Sequence, residues 1–458
     1  MTHRVMNRQT PDLVRGLVLA VCVLLMTAPL VANDWPEWRG AGRTGVWTET
    51  GIVAELPAEL KVKWRVPING GFSGPAVADG RVFITDWAED AGSRTMDGRE
   101  RAIALDEETG EILWTREWPT SYRMLMISYA IGPRATPTVD GDRVYVVGAA
   151  GDLFCLSVET GEVLWEKHYL TDYDSFVPTW GVASSPIVDG DRLITVVGGE
   201  PGGLVMAFDK RSGEEVWRAL DVVGEMGYGQ PIIIEAGGAR QLIVWHAAAL
   251  VSLNPETGEL FWEEVWDARS GMSVATPVWS GNYLFVTQFY LGSTMMQLDQ
   301  DRPGASVLWQ GQSRSEMPGE TEGLHALITT PLIEGDNLYG VGSYGELRGL
   351  DARTGERRWM SDQMTAQARW GAAFMVKHGD RYFVLNDDGF LIDAQFTPDG
   401  YVERGRLKLI EPTSDAGYGP ARRFDRKVNW SHPAYANGHI IHRNDNEIIR
   451  ASLAASDY

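Results

Sequence analysis

The chain has 458 residues, of which 44% are hydrophobic, 10% aromatic and 22% charged. That composition is globular and excludes a disordered chain. Asp and Glu outnumber Lys and Arg by 62 to 41, a net charge of −21. A surface this acidic works against nonspecific nucleic-acid binding, which depends on Lys and Arg meeting phosphates, and against anionic membranes.

The first 32 residues read as a leader. Arg4, Arg8 and Arg15 make a basic start, Gly16 to Met26 an apolar run, and Pro29-Leu30-Val31-Ala32 ends in a small residue at a cleavage point. This is the pattern of a secretory signal peptide. The other reading, an uncleaved anchor helix, meets an apolar run that is short for a ~20-residue span and is broken by Pro29. Cys22 lies in that run, but Val21 before it is a poor fit to the small residue that lipid attachment needs. After cleavage Cys155 is the one cysteine left. No internal disulfide and no Cys pair for zinc or redox work can then form. A chain this long buries enough core without one. The expectation is a periplasmic or secreted protein with no membrane anchor after cleavage. Residues 33–60, an N-terminal extension, are expected to lie across the fold that follows.

From residue 61 a phrase recurs, a Thr-Gly or Ser-Gly turn followed by an apolar strand ending in tryptophan. Its tryptophans are Trp64, Trp114, Trp165, Trp217, Trp262, Trp309 and Trp359. The copy before Trp309 is degraded, with Arg302-Pro303-Gly304 in place of the turn. A second phrase has the same period: proline, a short strand, a Gly turn, another strand. Its prolines are Pro75, Pro137, Pro186, Pro231, Pro277, Pro331 and Pro433, and Ala373 stands where an eighth would be. Each unit therefore reads as four short strands, A to D, every ~45–50 residues, which is one blade of a β-propeller. The repeated tryptophans are expected to pack between neighbouring blades. Trp64 lies in a strand D with no A, B or C before it, and the last unit has A, B and C but no D. Pairing residues 61–66 with 447–453 would close the ring. The fold expected for residues 61–458 is an all-β, eight-bladed propeller of four-stranded antiparallel blades.

These Thr-Gly…Trp repeats resemble the PQQ-repeat propellers, among them the quinoprotein alcohol dehydrogenases and the outer-membrane assembly factor BamB. The Trp35–Gly40 opening, Gly132-Pro133-Arg134, Pro178-Thr179-Trp180-Gly181 and Asn429-Trp430-Ser431-His432-Pro433 are similar to a group of exported bacterial propeller proteins without a settled activity. The resemblance to the dehydrogenases implies pyrroloquinoline quinone with calcium as a candidate cofactor, an aspartate base and, in many members, a disulfide between adjacent cysteines. This chain has no adjacent cysteines. Only Asp86, Glu89 and Asp90 in one B–C loop, and Asp445 and Asn446 in another, offer oxygens where calcium would lie.

The A–B and C–D turns are short and share one face. The D–A connections share the other, and several are long, which marks it as the working surface. Strand A is innermost, so the residues just before it crowd the axis. Those singled out are Arg134, Trp180, Tyr228, Gln230, His325, Arg369, Trp370, Trp430 and His432. Arginines with aromatic faces suit an anionic or planar polar ligand, and either histidine could move protons. The alternative is that these residues plug the channel and bond one another. No phosphate loop or dinucleotide fingerprint is present. The function expected is binding of a small ligand or an envelope protein partner at the D–A face without catalysis. The alternative is a pyrroloquinoline-quinone-dependent oxidoreductase acting on alcohols or sugars. For export, mass spectrometry of the native protein should find a start near Asn33 and no lipid. An intact Met1 or a diacylglyceryl group on Cys22 would contradict the leader reading.

Overall fold

The computed structural model describes Met1 and residues 34–126, 131–222, 225–416 and 426–458. Apart from Met1, the segment expected to be a signal peptide lies outside the described residues. Contacts divide the chain into Met1–Ala32 and Asn33–Tyr458. The second unit holds eight four-stranded antiparallel sheets, an eight-bladed β-propeller. In blade 1, strands A to D are Ala76–Ala78, Arg81–Glu89, Asp97–Asp106 and Ile112–Ser121. Blades 2 to 7 repeat that order. Blade 8 takes Ala434–Ala436, His439–Arg443 and Glu447–Ser452 from the end of the chain and Val62–Pro67 from its start. Trp64 stands opposite Arg450 and Val66 opposite Ile448. Lys63 pairs with Asp457 at 2.8 Å and Arg65 with Glu447 at 2.8 Å across the same seam.

Each blade is sandwiched between two others. Inner strands are therefore buried on both faces and read as unbroken apolar runs, as in Val144–Val147. Strand D has one edge in solvent and leaves Leu164, Val216 and Leu308 exposed. The proline stands immediately before strand A, where a missing N–H is tolerated.

The repeated phrase has a physical cause at the seams. Trp114 Nε1 donates to the Val158 carbonyl of the next blade at 2.9 Å. Its ring lies on Gly161, whose added Cβ would come within 2.6 Å of the indole and whose φ is +70°. Trp64 lies in the same way on Gly110, Trp165 on Gly213, Trp217 on Gly258 and Trp309 on Gly355. Each of these indoles donates to a carbonyl just after strand C of the following blade. The degraded turn breaks the rule, because Trp262 donates instead to Gln241 Oε1 within its own blade at 2.9 Å.

Residues 34–60 form a strap at the A–B end of the channel. Trp35 and Val77 exchange backbone hydrogen bonds of 2.9 and 2.8 Å. The fully buried Arg43 donates to the carbonyls of Pro231 at 2.9 Å, Ser185 at 3.1 Å and Pro186 at 2.5 Å. Trp47 N–H donates to Lys377 O at 2.8 Å. The strap thus reaches from blade 1 to blades 3 and 4 and on to blade 7.

The clasp predicts unequal costs for two similar substitutions. Both Gly161→Ala and Gly190→Ala force a side chain to positive φ (+70° and +59°), but Gly190 has nothing within 4 Å of an added Cβ. Each should lose about 1–2 kcal/mol from φ alone, and Gly161→Ala about 1–3 kcal/mol more from overpacking against Trp114. Calorimetry that finds the two equal would contradict the clasp.

Candidate functional site

The residues before each strand A enclose a cavity of about 460 Å³ on the propeller axis, a size typical of small-molecule sites. Every blade contributes: Phe72, Arg134, Trp180, Tyr228 with Gln230, Met272, Leu327 with Ile328, Arg369 with Trp370, and Trp430. Seven of the nine singled-out residues are therefore brought together. His325 and His432 lie outside the lining.

Arg134 and Arg369 precede strand A of blades 2 and 7, three blades apart by the short way. Arg134 donates to the Gly132 carbonyl and lies over the Tyr122 ring at 5.9 Å. Behind it the buried Glu100 carboxylate accepts from Tyr122 Oη at 2.5 Å, Trp118 Nε1 at 2.9 Å and Ala149 N–H at 2.9 Å. Burial lowers the pKa of Arg134, while Tyr122, Glu100 and Tyr228 act against that shift; a guanidinium stays charged at neutral pH even so. Arg369 stacks on Trp370 at 4.3 Å and lies over Phe289 at 5.3 Å. Glu316 pairs with it at 2.5 Å and also accepts from Tyr344 Oη at 2.9 Å. Burial, and then that bond to Glu316, push the Tyr344 hydroxyl up to about 12.

The wall is set by strained backbone. Trp370 has φ +67° and Ser270 φ +61°, both outside the usual range for such residues. The Ser343 carbonyl holds Trp370 in place by accepting from its N–H at 2.6 Å and from Gly371 N–H at 3.2 Å. Conformations like these cost roughly 1–3 kcal/mol and gather at functional sites. Tyr228 donates to Glu225 at 2.7 Å and meets Trp180 edge-on at 5.6 Å. The amide of Gln230 joins two blades, accepting from Ser185 N–H at 2.6 Å and donating to Ala183 O at 2.8 Å. Trp430 Nε1 is buried and has no hydrogen-bond partner among the described residues.

The two histidines lie behind the cavity lining. His325 Nδ1 meets the Phe289 carbonyl at 3.0 Å, and burial takes its pKa down to about 4. His432 lies beneath Trp38 with ring centroids 4.7 Å apart, and burial takes it down to about 3. Both are therefore neutral near pH 7. Asp86 is bound to Arg101 at 2.5 Å and to Asn69 N–H at 2.6 Å, and Asp445 accepts from Ser414 Oγ at 2.5 Å. Among the described residues no three His, Cys, Asp or Glu side chains gather in a form that could hold a metal.

Several lining residues lie outside the reach of the repeat argument. Tyr290 comes from a B–C turn and Phe374 from strand A itself. Trp38 comes from the strap, its Nε1 donating to Thr276 Oγ1 at 3.2 Å. The signal for it is the Trp35–Gly40 opening, in a segment without repeats.

Fold and cavity together define an eight-bladed propeller with an aromatic axial cavity flanked by arginines. The family described as "Outer membrane protein assembly factor BamB" matches residues 41–200 and 201–374, and the chain belongs to that PQQ-repeat family. It is 23% identical over 293 residues to the outer membrane protein assembly factor BamB of Yersinia pestis, covering 60% of this chain and 68% of that one. It is 27% identical over 161 residues to the quinoprotein alcohol dehydrogenase PedH of Pseudomonas putida, covering 34% of this chain and 24% of that one. Among solved structures, quinohemoprotein alcohol dehydrogenase from Comamonas testosteroni superposes with a TM-score of 0.59 at 12% identity, over 92% of this chain and 81% of that one. BamB from Moraxella catarrhalis does so at 0.53 and 13% identity, over 86% of this chain and 100% of that one. At these identities the structural likeness shows the fold. Trp38 and Trp430, two walls of the cavity, lie outside the span that the family matches.

Neutral burial of histidine has a pH signature. His442 is fully buried beside Arg443 and His432, with neither ring nitrogen bonded among the described residues, and burial takes its pKa from 6.5 to about 3. The unfolded chain takes up that proton below pH 6.5 and the folded chain does not. The stability it supplies is complete above pH 6.5 and is lost towards pH 3, at about 1.4 kcal/mol per pH unit. The carboxylates whose pKa is raised by burial, such as Glu100 and Asp387, act in the opposite sense in parent and variant alike. His442→Leu should therefore lose stability less steeply than the parent between pH 6.5 and 4. Equal slopes in denaturant titrations would contradict neutral burial.

Proposed function

We propose that this propeller is an exported binding protein that takes a flat, anionic aromatic small molecule into its axial cavity at the D–A face, without itself doing chemistry on it. The observation that carries the reading is the joint placement of Arg134, Arg369 and four indoles, those of Trp38, Trp180, Trp370 and Trp430, around one cavity in a chain whose net charge is −21. Positive groups in a low-dielectric funnel focus the field and draw anions past an acidic surface. Indole faces supply stacking area. Export is supported by the leader pattern and by relatives named as outer-membrane assembly factors. Among the described residues no helix is long and apolar enough to cross a membrane. An envelope protein could present the same chemistry on a side chain, but a cavity of about 460 Å³ lined by all eight blades favours a small molecule.

The quinone-dependent reading rests on the dehydrogenase relatives. Pyrroloquinoline quinone is flat and carboxylated, and the arginine-and-indole lining fits it. Arg134 and Arg369 would hold carboxylates, and Trp180, Trp370 or Trp430 would stack on the rings. The donor set for an accompanying calcium does not fit. The acids bonded to cavity residues, Glu225 and Glu316, are already engaged by Tyr228 and by Arg369 with Tyr344. No redox step follows from these residues.

Charge-assisted hydrogen bonds contribute about 1.5–3 kcal/mol each, so Arg134→Gln and Arg369→Gln should each weaken binding of naphthalene dicarboxylate by about tenfold or more. Calorimetric titration reads the affinity, and circular dichroism checks the fold. A folded double variant that binds like the parent would place the working surface elsewhere. A double variant that unfolds would make these arginines structural plugs.

A further inference from the structure

The cavity has a floor that the propeller does not supply. The strap inserts Trp38 into the lining and holds it there by three contacts. Its Nε1 bonds Thr276 Oγ1, its ring meets His432 at a tilt of 55°, and on either side the strap is fixed to Val77 and, through Arg43, to the carbonyls of Ser185, Pro186 and Pro231. The next residue, Arg39, is 3% exposed, with φ +59°. One guanidinium nitrogen reaches the Thr44 carbonyl at 3.4 Å, and Nε has no partner. Among the described residues no carboxylate pairs with it. Arg43, four residues on, has Glu37 at 2.9 Å. Arg39 therefore carries a buried positive charge that nothing nearby neutralises, next to the floor of a cavity already flanked by two arginines. Its charge reaches the neighbouring ring, since it helps to keep His432 neutral. A buried cation without a counter-ion is costly, and an anion seated on the floor above it would offset that cost.

We infer that Trp38 and Arg39 are the ligand-recognition floor of this cavity: Trp38 stacks against the aromatic rings of a carboxylated flat ligand, and Arg39, without touching it, selects for its negative charge. The inference rests on the reading of the cavity as an anion-binding site, which it deepens. The strap lies at the A–B end of the channel, opposite the D–A mouth. Selectivity comes from both ends of the cavity, from Arg134 and Arg369 at the D–A end and from the strap below.

Fluorine NMR of the full chain labelled with fluorotryptophan tests this with naphthalene dicarboxylate as probe. The signals of Trp38, Trp180 and the inter-blade Trp217 are assigned by loss in their Trp→Phe variants. The Trp38 and Trp180 signals should shift on titration and the Trp217 signal should not. Arg39→Gln should weaken the dicarboxylate about three- to tenfold and leave the neutral naphthalene dicarboxamide within about twofold, while Arg39→Lys restores the difference. If the Gln variant melts early, Arg39→Met takes its place. A Trp180 signal that moves while Trp38 stays still overturns the floor and leaves the cavity reading standing. Equal losses for dicarboxylate and dicarboxamide in the Arg39 variants overturn the charge role. No binding of the probe by the parent chain overturns both the cavity reading and this inference.

Discussion

An indole lying on a glycine joins one blade to the next. The glycine is needed twice over at these turns, once for its positive φ and once because any Cβ would enter the ring above it. The indole N–H then bonds a carbonyl of the same turn, which fixes the angle between sheets as well as their spacing. Five seams use this contact, including the one where Trp64 from the start of the chain clasps blade 1. Where the turn is degraded, Trp262 bonds within its own blade. A ring held in this way keeps the inner ends of the strands A on a fixed circle. The residues just before them, one set per blade, are carried to the axis with the precision of the ring itself.

That circle explains how an acidic chain brings arginines to its axial cavity. Arg134 and Arg369 reach the cavity from loops, and the strap buries Arg39 and Arg43. A guanidinium suits such places because it remains charged when desolvated and bonds several carbonyls in fixed directions, as Arg43 does with three. The left-handed backbone of Trp370 and Ser270 is affordable in the same setting, where neighbouring blades hold the loops on every side.

What could be read from the sequence follows what repeats. Glycine and tryptophan recur because local backbone and one fixed neighbour dictate them, so blade number, closure by residues 61–66 and the packing role of Trp114 or Trp165 are all legible. Position on the axis is legible too, because the repeat says which residue precedes strand A. The direction of a side chain is not. His325 and Trp370 both lie in loops before a strand A, but His325 turns to the Phe289 carbonyl while Trp370 faces the cavity. His432 is drawn under Trp38 by a contact whose other half lies nearly 400 residues away in sequence. Trp38 itself belongs to a segment without period, and neither spacing nor alternation marks it out as a floor.

The central claim is that an anionic, flat ligand sits on the axis between the two arginines and the strap. The most direct test is a crystal structure of the full chain soaked with naphthalene dicarboxylate. The account predicts ring density above Trp38, with the carboxylates directed to Arg134 and Arg369. An axial cavity without density at saturating probe, or density confined to the outer face of the blades, would contradict it.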